Sequence, residues 1–249
     1  MSYSINAGKM GLFAALLMTT ALSSAGADKP AEKEVVPDAE GQRKYLEASR
    51  IEHNTVIDWK PLKTMTFDDA KALDGLKAVQ GKWEVQDGQL VAVSGAAEDN
   101  RILLLSPMPD GPVRIEFDAT LFPRADGRIC DICIRFNADP ETGSYVKSYA
   151  LIAGQYFNQA AVFYKKNIPF ARTEFAPLVP KKRHRIVAEW ANKHFRFFVD
   201  DKVLIDAWDR DTPMPPDPTK WLGISTYDTR MVVDNLVIST AAPKPPAPK

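Results

Sequence analysis

The sequence predicts an antiparallel β-sandwich preceded by a short helical lead-in. Three observations carry that expectation. From Thr66 to Thr240 the chain is a series of short β-type runs, turn signals such as QDGQ, MPDGP, RADGR, ADPETG and VDDK separate them, and no helical period of useful length competes.

The elements follow in order. Lys9 precedes an apolar run, MGLFAALLMTTAL (10–22), and the small residues SSAGA then end in Ala25-Gly26-Ala27. This is the pattern of a signal peptide over residues 1–27, with an apolar core shorter than the ~20 residues a membrane span needs. The expected mature chain begins at Asp28, is secreted or periplasmic, and has no later stretch apolar enough to span a bilayer. No cysteine follows the cleavage site, which argues against a lipid anchor. Residues 28–60 form a polar lead-in, where DAEGQRKYLEASRIEH (38–53) is a short helix with Tyr45, Leu46 and Ile51 as its apolar stripe. The sandwich occupies 61–240, and AAPKPPAPK (241–249) is a polyproline-like tail.

Charge excludes some partners. The chain carries 32 basic and 32 acidic groups, and removal of residues 1–27 takes one lysine, leaving a net charge of −1. That balance gives no electrostatic drive toward nucleic acid or anionic lipid. The run PKKRHR (180–185) reads as a solvated loop before a strand.

Within the sandwich, VRIEFDAT (113–120) sets Val113, Ile115, Phe117 and Ala119 on one face and Arg114, Glu116, Asp118 and Thr120 on the other. HRIVAEWA (184–191), KHFRFFVD (193–200), KVLIDAWD (202–209) and MVVDNLVIS (231–239) are further strands, and Asp200-Asp201 stands where a tight hairpin turns.

Both cysteines lie in RICDICIRFN (128–137). Strand parity puts Cys130, Ile132, Ile134 and Phe136 on the apolar face, and Ile129, Asp131, Cys133 and Arg135 on the other. Three residues of strand separate the two α-carbons by ~10 Å, beyond the roughly 7 Å a disulfide bridges. The favoured reading is two unlinked thiols, with a disulfide after a local bend or metal ligation as alternatives. The histidines, at 53, 184 and 194, have no ligand spacing to the cysteines.

GKWEVQDGQLVAVSG (81–95), with its W-x-V-x-D-G-x-L pattern, and YDTRMVVDNLVIS (227–239) resemble the secreted concanavalin A-like jelly-roll domains related to the three-keto-disaccharide hydrolase family. The likeness runs over about residues 66–240. It implies a jelly roll with Trp83 and Leu90 in the core, Asp87-Gly88 in a turn and a closing strand near Val233 to Ile238. It also implies saccharide handling. Where that family carries a small polar stretch, this chain has Cys-Asp-Ile-Cys. Laminarinase-like jelly rolls use an E-x-D-x-x-E strand, and Glu116-Phe117-Asp118 matches its first two carboxylates, with Leu121 where the proton donor would stand.

If strands 113–120, 128–137 and 145–153 offer their polar parity to one concave face, that face carries Glu116, Asp118 and Asp131 as candidate acids and bases. Arg135, Lys147, Tyr149 and Tyr164 then serve as substrate-binding groups. The expected function is saccharide binding on that face. The alternatives are a glycoside hydrolase or polysaccharide lyase using the same groove, and a structural envelope protein binding other proteins. No organic cofactor motif is present, and Asp-rich turns such as RADGR leave a structural Ca²⁺ open. Should the groove lie elsewhere, the loops around Tyr156 and Trp208 are the next place for it.

Overall fold

A computed structural model describes residues 57–93, 100–174, 178–191, 193–210 and 213–241. The expected signal peptide and lead-in helix, and the tail beyond Ala241, lie outside the described residues. The described chain is an all-β sandwich of two antiparallel sheets. Its strands are β1 (Trp59–Met65), β2 (Lys77–Gln80), β3 (Lys82–Gln86), β4 (Gln89–Val93), β5 (Asn100–Pro107), β6 (Val113–Phe122), β7 (Ile132–Ala138) and β8 (Tyr149–Gly154). After a helical turn, α1 (Gln155–Asn158), come β9 (Ala160–Lys165), β10 (Ile168–Thr173), β11 (Arg183–Ala191), β12 (His194–Val199), β13 (Lys202–Trp208), β14 (Trp221–Tyr227) and β15 (Arg230–Ala241).

The first sheet runs β13-β12-β11-β6-β15-β4-β3, with β1 also paired to β15, and the second runs β10-β9-β8-β7-β14-β5-β2. Tight hairpins form where the sequence demands positive φ. Asp87 and Gly88 turn β3 into β4 at φ 51 and 74, and Asp200 and Asp201 turn β12 into β13 at φ 49 and 62. Trp83 and Leu90 are both buried in the core.

Strand alternation decides what enters the interior. β6 alternates buried and half-buried residues along its whole length, with Val113, Ile115, Phe117, Ala119 and Leu121 facing the second sheet. On β7, Ile132, Ile134 and Phe136 face back toward them. An aromatic cluster joins the layers: Phe136, Tyr149 and Phe163 come from β7, β8 and β9, while Trp190 and Phe195 come from β11 and β12.

The topology corrects one expectation. β6 lies in the first sheet between β11 and β15, whereas β7 and β8 lie in the second. The polar parities of these three strands therefore point out of opposite faces of the sandwich, and no single groove holds them all. The cause is the connection between Phe122 and Ile132, which crosses from one sheet to the other. Alternation separates inside from outside, but both sheets alternate alike, so it cannot say to which sheet a strand belongs.

Candidate functional site

The outer face of the second sheet carries a cavity of about 550 Å³, with β7 and β14 in its floor. Asp131, just before β7, is fastened to β14 twice: its carbonyl accepts from Thr226 Oγ1 at 2.6 Å and its Oδ1 from the Tyr227 N–H at 3.0 Å. Cys130 N–H donates to Thr229 Oγ1 at 2.8 Å. Arg135 follows on β7, buried, donating from Nε to Ser225 Oγ and from Nη1 to the Gly143 carbonyl, both at 2.9 Å. Its guanidinium also lies 4.9 Å from the centre of the Tyr145 ring. This arginine thereby ties the 139–147 loop to the sheet.

That loop is built to be stiff. Asp139 Oδ1 accepts from the Glu141 and Thr142 N–H groups at 3.1 and 3.0 Å, and its main chain bonds Gly143 and Ser144. These donors hold the Asp139 carboxyl down at about 2.

The opposite rim is α1, whose conformation is unusual. Tyr156, Phe157 and Asn158 all have positive φ, at 55, 58 and 65, which makes this a left-handed turn of non-glycine residues. Such a conformation costs roughly 1–2 kcal/mol per residue, so something must hold it. Asn158 does, donating from Nδ2 to the Leu178 carbonyl at 2.5 Å and accepting the Leu178 N–H at 3.1 Å, with Leu178 itself buried. Gly154 leads into the turn at φ 88, and a Cβ there would stand 2.7 Å from the Cys130 carbonyl oxygen, so only glycine fits. The turn presents Tyr156 and Phe157 to solvent, 47% and 42% exposed, at the cavity edge. Arg128 lies 4.0 Å from the Phe157 ring centre and Arg172 5.1 Å from that of Tyr156.

The predicted residues scatter in a definite way. Asp131 and Arg135 line the cavity, and Tyr164 lies on the same sheet face, accepting from Gln155 Nε2 at 2.6 Å with its hydroxyl 3.5 Å from that of Tyr156. Lys147 is exposed on the turn before β8, in a neighbouring cleft. Tyr149 is wholly buried in the core, where its hydroxyl bonds Asp209. Its expected place in the groove is corrected, because β8 is apolar on both faces and offers no parity signal.

Glu116 and Asp118 are on the other side of the molecule. Glu116 pairs with Arg114 at 2.7 Å and Arg185 at 3.4 Å, and Asp118 with Arg183 and with Asn235 Nδ2 at 2.8 Å. They belong to a cross-strand ion-pair ladder on the first sheet, and the three carboxylates cannot address one substrate bond.

Both cysteines are free and buried. Cys133 faces outward as its parity requires, but Ile152, Val162 and Tyr164 pack around it. Burial pushes its thiol up to about 11, the opposite of a reactive thiolate. The parity expectation fails at Cys130, which precedes β7 and lines the cavity, while Ile129 enters the core in its place. Cys133→Ser should cost about 1–3 kcal/mol, because the smaller hydroxyl needs hydrogen-bond partners where Ile152, Val162 and Tyr164 pack around it. Urea denaturation of the variant would show this, and an unchanged midpoint would refute it. Among the described residues no three His, Cys, Asp or Glu side chains gather as a metal would require.

Asp131 is pushed up from its ordinary value near 3.8 to about 6, by burial above all, against the lowering effects of the Tyr227 N–H and the Arg135 charge. A carboxyl raised in the folded state favours folding below its unfolded value, and that contribution is lost as pH rises through the folded one. Stability from this group should therefore fall between about pH 4 and pH 6. Asp131→Asn keeps the acceptor for Tyr227 and removes the half-buried charge. It should stabilise the protein at pH 7.5 by on the order of 2–3 kcal/mol and make no difference at pH 4. Equal effects of the substitution at both pH values would contradict the assignment.

Asn100, Tyr145, Tyr156, Phe157, Ser225 and Tyr227 also line the cavity. The stretch AGQYFNQ (153–159), a glycine and an asparagine around paired aromatics between two apolar strands, is the sequence signal for its rim.

No protein-family model matches the sequence, and a search of curated proteins finds no relative. Solved structures do resemble it. A protein of unknown function with galectin-like fold from Bacillus subtilis superposes with a TM-score of 0.60 at 14% identity, over 75% of this chain and 100% of that one. The carbohydrate binding module CBM66 from Bacillus subtilis gives 0.54 at 17% identity, over 67% and 96%. The exoplasmic/lumenal domain of VIP36, in its Ca²⁺/Man3GlcNAc-bound form, gives 0.56 at 7% identity, over 75% and 92%. At these identities the likeness is one of fold, and the fold is the concanavalin A-like jelly roll.

Proposed function

We propose that this protein is a secreted or periplasmic carbohydrate-binding protein whose ligand lies on the outer face of the second sheet, between Asp131, Arg135 and the Tyr156-Phe157 rim. The W-x-V-x-D-G-x-L stretch supports kinship with the three-keto-disaccharide hydrolase-related domains. One observation carries the reading: a strained left-handed turn, held by Asn158, exposes two aromatic rings beside a cavity containing a carboxylate and a guanidinium. Sugars offer apolar ring faces to aromatics and hydroxyls to such polar groups, and a site made before the ligand arrives loses less entropy on binding. Two carboxylates flanking one bond are the usual requirement for glycoside hydrolysis. Asp131 is the one carboxylate among the described lining residues, which favours binding over turnover.

The test is a glycan array on the purified protein, run beside a reducing-sugar assay. Tyr156→Ala and Phe157→Ala should each weaken the best saccharide about tenfold, the loss of one well-packed aromatic contact. Glu116→Gln, on the opposite sheet, should change nothing. Full affinity in both aromatic variants would remove the site from this face.

A further inference from the structure

Beyond the end of β7 lies a second cleft, of about 590 Å³, that shares a wall with the first. Thr142, Ser144 and Val146 line both, so the 139–147 loop is their shared wall. Along β7 the lining passes from Asp131, Cys133 and Arg135 in the first cleft to Asn137 and Asp139 in the second. The eight rises of about 3.3 Å from Asp131 to Asp139 span roughly 26 Å, several times the length of one sugar ring.

The far wall is the proline-rich segment from Met214 to Lys220, and it too is fixed. Asn137, at φ 54, donates from Nδ2 to the Pro215 carbonyl at 2.8 Å and accepts the Asp217 N–H at 3.0 Å. The Met214 N–H donates to the Tyr149 hydroxyl at 2.8 Å. Both walls are thus ordered by hydrogen bonds from the sheet and its connections.

Charge narrows the occupant. Among the described lining residues the first cleft sets Asp131 against Arg135, and the second sets Asp139 and Asp217 against Lys147 and Lys220. Each cleft is balanced. A uronate or sulfated chain would find no excess of cations, since the rim residues Arg128 and Arg172 are themselves paired with Asp126 and Glu174, whereas the prolines and Val146, 54% exposed, offer apolar surface to ring faces.

Resting on the carbohydrate-binding reading above, we infer that the ligand is a neutral oligosaccharide several residues long, lying along β7 across the 139–147 loop and filling both clefts. A mono- or disaccharide would occupy the first cleft alone.

Calorimetry tests this with homologous cello-, malto-, xylo- and manno-oligosaccharides of increasing length, and with oligogalacturonates as the acidic series. In one neutral series the affinity should rise about tenfold or more from disaccharide to hexasaccharide. The double variant Lys147→Ala, Pro218→Ala trims the second cleft only, at two exposed positions, and circular dichroism checks that it folds. It should lose that rise and keep the disaccharide affinity. Equal affinity for short and long chains, preference for the acidic series, or a length dependence that survives in the double variant would each overturn the inference while leaving carbohydrate binding intact. Failure of every series to bind would defeat the carbohydrate reading itself and this inference with it.

Discussion

Trp190→Ala is expected to destabilise the protein by about 3–5 kcal/mol, the range for a truncated core aromatic. Trp190 is 2% exposed on β11, stacked on Phe195 at 5.3 Å and 17°. It meets Phe136 and Tyr149 edge-on at 5.7 and 5.3 Å. Because Phe136 and Tyr149 belong to the second sheet and Trp190 to the first, the indole is a direct contact between layers. Its removal leaves a cavity that neither sheet can close without breaking strand pairing, and the surrounding rings lose their edge-to-face partners as well. Urea denaturation measures the loss, and Trp190→Phe, which keeps a ring, should lose markedly less. A Trp190→Ala loss under 1 kcal/mol would mean that the layers are held elsewhere.

The inward face of β6 and β7 was legible in the sequence, whereas Tyr149 of this interface and the residues that build the cavity were only partly so. Val113, Ile115, Phe117 and Ala119 declare their face because each alternates with a charged or hydroxyl neighbour, and Asp87-Gly88 and Asp200-Asp201 declare hairpins because few residues tolerate positive φ. Parity is a local signal, whereas sheet membership depends on which way the connection before β7 crosses. Glu116 and Asp131 share a polar parity and still face opposite solvents. In β8 both faces are apolar, so Tyr149 carries no directional information. Its partner Asp209 is 60 residues away. The rim turn is hidden for a different reason. Tyr156 and Phe157 have no preference for left-handed backbone, and it is the clasp of Asn158 on Leu178, 20 residues distant, that fastens the turn. Long-range hydrogen bonds that hold a locally unfavourable conformation leave little trace in the sequence.

One such bond network should have an effect as large as the core indole. Asp209→Ala is expected to cost about 3–5 kcal/mol, the usual range for breaking a buried ion pair by removing one partner. The Asp209 carboxylate is wholly buried, accepting from the Tyr149 hydroxyl and from Lys165 Nζ at 2.6 Å, and the Lys165 side chain is itself only 12% exposed. The alanine takes from Lys165 its buried carboxylate and from the tyrosine hydroxyl its acceptor. Because that hydroxyl also receives the Met214 N–H, the proline-rich wall of the second cleft should loosen together with the core. Tyr149→Phe removes one neutral donor and should cost less, about 1–3 kcal/mol, and the two changes combined should fall short of their sum because they share a network. The charge argument is separable from packing. Asp209→Leu with Lys165→Met removes both ions and retains volume, so it should recover most of the loss. If that pair is as unstable as Asp209→Ala alone, the cost comes from shape or from the lost hydroxyl acceptor, and the buried ion pair is not its source.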